Sequence, residues 1–187
     1  YTPANFIHNC HSLECEERER CVVIAVSQTG TSRGLLEAAR HAGHLGFKIV
    51  GITQESDSLL SRMADICLYL RCGAEDSNAK TKGFGSTLLV LMLLGLEYGL
   101  INGKVNQEQY EQVRCELEQC VSEFNLVIDT VLLWCRRGPF ISDMRSLYVL
   151  GSGMNCGTAM EGQLKLMETM CIPAMYNDIE EFSHGMQ

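Results

Sequence analysis

One repeated succession constrains this chain more than any other feature. A short, nearly continuous apolar run gives way to a loop of small polar residues, and then to a stretch with helical spacing. Residues 21–27 (CVVIAVS), 48–53 (KIVGIT) and 66–70 (ICLYL) are such runs in the first half, and 146–150 (SLYVL) and 172–177 (IPAMYN) in the second. Strands that are apolar on both sides need both faces of their sheet covered. Alternating with helices, they predict a parallel sheet in an α/β fold.

The intervening segments supply the helices. In 33–45, Leu36, Ala39 and Gly43 share one stripe, and Gly46 is placed to stop the helix. SLLSRMA (58–64) is a short helix, and a long apolar helix is expected over 81–100. After a turn at Asn102-Gly103, residues 106–136 read as a single amphipathic helix, with Tyr110, Val113, Leu117, Val121, Phe124 and Ile128 recurring at three and four. RRGPF ends it. The chain thus divides into a first α/β unit (1–100), a helical connector (101–143) and a second α/β unit (144–187). Neither unit has the strand count of a complete doubly wound domain, so the sequence reads as the central part of a longer protein.

Charge and cysteine usage narrow the class. A net charge of −8 and a pI near 5.1 argue against a nucleic-acid-binding body and against an anionic membrane surface as partner. The greasiest stretch, Leu88 to Leu96, falls short of the roughly 20 residues that a membrane span needs, and Glu97 follows it; it reads as a buried core helix. No apolar stretch follows a basic start at the N-terminus, so no signal peptide is expected. The ten cysteines include no C-x-x-C. They pair as C-x4-C at Cys10/Cys15, Cys67/Cys72 and Cys115/Cys120, and Cys67 and Cys135 lie in apolar runs, as reduced cytoplasmic cysteines do. His8, Cys10, His11 and Cys15 cluster near the chain start, but with spacing unlike that of zinc sites. Neither a metal nor another cofactor is expected.

The loops at strand ends are where chemistry is expected. Ser27-Gln28-Thr29-Gly30-Thr31-Ser32 lies between a strand and a helix, where hydroxyls and orphan backbone N–H groups suit an anion. It has no lysine, so it is not a P-loop, and an ordinary N-cap would account for its Ser and Thr residues equally well. Gly151–Gly157 occupies the same place in the second unit, but Cys156 stands where a dinucleotide fingerprint needs its third glycine, which disfavours a nicotinamide cofactor. On the helix that follows, Glu161, Lys165 and Glu168 share one face at i, i+4 and i+7. Such residues commonly form a solvated ion pair. EEFSHG places His184 in a loop after the last strand, as a candidate acid or base. His41 and His44 read as surface residues.

Taken in order, strand–SQTGTS–helix, GAEDSNAKTKGF, strand–GSG–helix–EGQLKLMET and EEFSHG resemble the phosphosugar isomerase (SIS) domains. The likeness is greatest to the isomerase half of glucosamine-6-phosphate synthase and its ketosamine-phosphate relatives. It implies two SIS units in tandem, each a flavodoxin-like three-layer α/β sandwich, both incomplete here, the first lacking its first strand. By that resemblance Ser27, Gln28, Thr29 and Ser32 cradle a phosphate, and Glu75, Asn78 and Glu161 line the sugar. Glu168 is the base that moves a proton between C1 and C2, Lys165 orients a substrate oxygen, and His184 assists ring opening across a subunit interface. The expected partner is a phosphorylated sugar bound by a cytoplasmic homo-oligomer with its site near the interface. The expected activity is isomerisation or deglycation of an amino-sugar or ketosamine phosphate. A non-catalytic sugar-phosphate sensor and a simple aldose–ketose isomerase are the rival readings.

Overall fold

The computed structural model describes residues 2–9, 18–138 and 144–185. The chain forms two compact units, one of residues 1–76 and 81–110, the other of 77–80 and 111–187.

The first unit is built on a parallel sheet of β1 (Val22–Val26), β2 (Lys48–Thr53) and β3 (Ile66–Tyr69), in that spatial order. Val23 is in register with Ile49, Ala25 with Gly51, and Val50 with Ile66. Two crossover helices connect the strands, α2 (Arg33–His44) and α3 (Leu59–Met63). Four small or medium apolar residues of α2, Leu36, Ala38, Ala39 and Ala42, are buried. The alanines bring the helix close to the sheet, and Leu36 and Ala39 pack with Ala25, Ile49 and Leu60. Gly43, expected on the same stripe, is exposed. Ala38 and Ala42 pack instead with Phe47 and with Phe6 of α1 (Pro3–Asn9), a helix that the strand rhythm does not announce. On the other side of the sheet, Val22, Ile24 and Ile66 are exposed.

α4 (Lys82–Ile101) also belongs to this unit, and here the expectation of a buried core helix fails. Only Gly83, Leu96 and Gly99 of its residues are buried, and Leu88, Met92, Tyr98 and Ile101 are exposed. By length and composition this helix could cross a membrane, which the shorter run at 88–96 could not. A single helix of this kind is weak ground for a membrane span.

α5 (Gln107–Ser122) and α6 (Phe124–Arg137) replace the expected single helix. Glu123 interrupts it, though its carbonyl still accepts from Leu126 and Val127. No residue of either helix is buried. In the second unit, β4 (Leu147–Gly151) and β5 (Ala174–Asp178) form a parallel pair, connected by α7 (Asn155–Met170), which packs on both. α7 begins inside the expected glycine-rich loop, leaving Ser152–Met154 as the turn. EEFSHG, expected as a loop, lies in α8 (Ile179–Gly185). Asp178 accepts a hydrogen bond from the Glu180 N–H, and Glu180 and Glu181 occupy the positive end of the helix, which together favour a helical start there.

Candidate functional site

The loop that follows β1 folds back on itself. The buried Ser27 hydroxyl accepts from the Gly30 N–H at 3.1 Å and shares a hydrogen bond with Ser32 Oγ at 3.0 Å. The Thr29 and Thr31 hydroxyls lie 2.9 Å apart. The Gln28 carbonyl accepts from Gln54 N and from Thr53 Oγ1, which fastens the loop to the end of β2. Gly30, at φ +64°, also accepts from the Leu60 N–H, so the loop is tied to the first turn of α3 as well.

Ser32 stands at the N-cap position of α2 but makes no side-chain capping hydrogen bond. The ordinary explanation of these hydroxyls, that they cap the helix, therefore does not describe Ser32. The exposed Thr29, Thr31 and Ser32 surround the N-terminus of a 12-residue helix. An anion there would meet orphan N–H groups and the positive end of the dipole.

Gln28 connects this loop to the segment before α4. Its Nε2 donates to Glu75 Oε2 at 3.1 Å. Glu75 also receives the backbone N–H groups of Thr81, Lys82 and Gly83 and the Thr81 hydroxyl. Partial burial pushes the Glu75 carboxyl up, but the Gly83, Thr81 and Lys82 N–H donors and the Gln28 amide outweigh it and hold its pKa at about 2. Gly83 is the close approach in this clamp, since a Cβ there would sit 2.5 Å from the Gln28 side chain. Asn78 is exposed and falls in the second unit.

In the second unit, Glu161, Lys165 and Glu168 do share a face of α7. Lys165 Nζ lies 3.2 Å from Glu161 Oε1 and 2.8 Å from Glu168 Oε2. The three side chains retain only 22%, 25% and 34% of their exposure (Lys165, Glu161 and Glu168 in turn), so this is not the fully solvated pair that the spacing alone allows. Burial pulls the Lys165 pKa down, and the Glu168 and Glu161 carboxylates more than reverse it, leaving it raised. His184 is exposed in the last turn of α8, and among the described residues no hydrogen bond joins it to Glu168.

Two further residues, Cys156 and Asp178, meet at the strand ends. Cys156 Sγ lies 3.1 Å from Asp178 Oδ2 and 3.4 Å from the Gly151 carbonyl. Their hydrogen bond raises the thiol pKa and lowers that of Asp178, so the pair rests as thiol and carboxylate. The signal for Asp178 was present, an acidic residue closing a strand just before two more. Cys10, His11 and Cys15 lie outside the described residues, and His8 is exposed on α1. Among the described residues no three His, Cys, Asp or Glu side chains converge as metal ligands.

Comparison with known proteins agrees with this architecture. Residues 17–96 match the SIS domain. The glutamine–fructose-6-phosphate aminotransferase (isomerizing) of Thermotoga maritima is 36% identical over 175 residues, covering 90% of this chain and 28% of its own length. A candidate phosphosugar isomerase of Clostridium difficile 630 superposes with a TM-score of 0.90 at 30% identity, over 96% of this chain and 52% of the other. The C-terminal domain of the glucosamine–fructose-6-phosphate aminotransferase of Francisella tularensis gives a TM-score of 0.80 at 25% identity, over 94% and 50%. The chain spans between a quarter and a third of the length of the curated relatives it matches. The parallel strands and their crossover helices are those of the flavodoxin-like SIS fold, and it is in residues 17–96 that the chain is similar to the SIS domain.

Proposed function

We propose that Ser27, Gln28, Thr29 and Ser32 bind the phosphate of a phosphorylated sugar, in a cytoplasmic enzyme that isomerises or deglycates an amino-sugar or ketosamine phosphate. The observation that carries this reading is the loop after β1, with hydroxyls gathered at the N-terminus of α2 and Ser32 not spent on capping it. In the chemistry proposed, Glu168 takes a proton from one of C1 and C2 of the open-chain sugar and returns it to the other. Lys165 orients the substrate oxygen, and His184 assists ring opening. Glu161 steadies Lys165 beside the sugar. General acid–base catalysis of this kind is worth on the order of 10²–10⁴ in rate.

The test is calorimetry of fructose 6-phosphate on the full-length protein with Thr29 and Ser32 both replaced by alanine. Each lost donor to a charged group is worth about 1.5–3 kcal/mol. Affinity is expected to fall at least about tenfold; unchanged affinity would put the phosphate elsewhere.

A further inference from the structure

Glu75 stands in the segment where the family resemblance looks for a sugar ligand, yet its carboxylate is already engaged. Oε1 receives Thr81 N, Thr81 Oγ1 and Lys82 N, and Oε2 receives Gly83 N and Gln28 Nε2. A sugar hydroxyl would have to compete with donors that the first turn of α4 holds in place. Of these partners, the Gln28 amide is the one that belongs to the hydroxyl loop.

We propose that Glu75 is a positioning residue rather than a sugar ligand: it holds Gln28 Nε2, and so fixes the Gln28 amide in the Ser27–Ser32 loop, acting on a bound phosphate only through Gln28. The inference rests on the phosphate reading of that loop. A carboxylate accepts at both oxygens, so it dictates that the amide's NH2 faces Glu75 and its carbonyl faces away. Glutamine cannot replace it, because its own NH2 would confront N–H donors of α4 or of Gln28. The depressed Glu75 pKa agrees with a carboxylate that stays ionised at any working pH. Gly83 supports the same contact from the other side, leaving room for the Gln28 side chain against α4.

The experiment is a double-mutant cycle on the full-length protein. Inorganic phosphate and fructose 6-phosphate are each titrated by calorimetry into the parent, Glu75→Gln, Gln28→Ala and the double variant. Glu75→Gln is expected to weaken both ligands about tenfold, the order of one hydrogen bond to an anion. In the Gln28→Ala background it should add less than about twofold, since contacts that share a partner do not add. Losses that multiply, or a loss for fructose 6-phosphate alone, would make Glu75 a direct sugar ligand and overturn the proposal.

NMR of the Gln28 side-chain amide supplies a readout that needs no ligand. Its resonances should move in Glu75→Gln and in Gly83→Ala, which displaces Gln28 while leaving the carboxylate intact. An amide unmoved in both variants overturns the proposal. If the parent binds neither ligand, the phosphate reading fails, and the amide resonances alone decide whether the clamp exists. Gly83→Ala also carries the cycle if Glu75→Gln does not fold.

Discussion

Gly30→Ala is expected to destabilise the protein by about 1.5–4 kcal/mol. Gly30 holds φ +64°, a left-handed conformation that costs an L-residue roughly 1–2 kcal/mol. An added Cβ would also lie 2.2 Å from Ser58 Oγ and 2.4 Å from Ser58 Cβ, too close for Ser58 to stay where it is. Ser58 is the N-cap of α3, and its hydroxyl accepts from the Ser61 N–H at 3.1 Å. Moving it forfeits a cap worth about 0.5–2 kcal/mol. The assay is urea unfolding followed by circular dichroism, with the shift in midpoint read at unchanged slope. Repeating Gly30→Ala in a Ser58→Gly background separates the two contributions, because the two closest atoms are gone, Thr53 Oγ1 at 3.0 Å is the nearest left, and mainly the backbone cost of about 1–2 kcal/mol remains. Equal losses in both backgrounds would refute the steric account, and a loss below about 0.5 kcal/mol, the usual range of surface substitutions, would refute both accounts.

Other outcomes follow from the same structure. Glu168→Gln should leave sugar-phosphate affinity within a few-fold and slow exchange of the C1 or C2 hydrogen with solvent deuterium by about 10²–10⁴; exchange as fast as the parent's would favour a non-catalytic sensor. The Glu75 carboxyl titrates near 2 in the folded protein against an ordinary 4.5, so its stabilisation is complete above about 4.5 and is lost as pH falls toward 2. Glu75→Gln should therefore flatten the acid limb of a stability–pH curve in that window, and a superimposable limb would contradict the clamp. The exposed apolar residues of α4 predict that the full-length protein, purified without detergent, is a dimer or larger by light scattering. A monomer would count against a covering subunit, and recovery only in the membrane fraction would point to a span.

How much of this could be read in advance differs between sheet and site. β2 is legible to the residue because the apolar centre of KIVGIT lies between Gly46, which stops the preceding helix, and polar Gln54. α8 is not, because its seven residues hold a single apolar pair, Ile179 and Phe182, too little to set a period before His184, and its start is marked by the Asp178 carboxylate accepting from the Glu180 N–H, a contact that spacing does not show. The exposure of α4 is not legible, because apolar composition fixes what a helix prefers to touch, not whether that surface lies within this chain. The hydroxyl loop was visible as a motif, since its residues are consecutive. The occupation of Glu75 is not, as its donors include backbone N–H groups and a hydroxyl at the start of α4 and an amide 47 residues earlier. Side-chain spacing carries no record of such partners.

The absence of lysine and arginine from Ser27–Ser32 has a consequence for the way an anion would be held there. The adjacent Arg33 is turned to Glu37 at 3.2 Å on the outside of α2. A phosphate taken by this loop would rest on hydroxyl and amide dipoles alone, with no counter-charge from these six residues. Dipoles at contact distance are little affected by an ionic atmosphere whose screening acts over about 8 Å. Such a pocket would select by the angles at which oxygens meet donors, would hold its guest almost equally well in dilute and concentrated salt, and would let it leave without separating a pair of full charges.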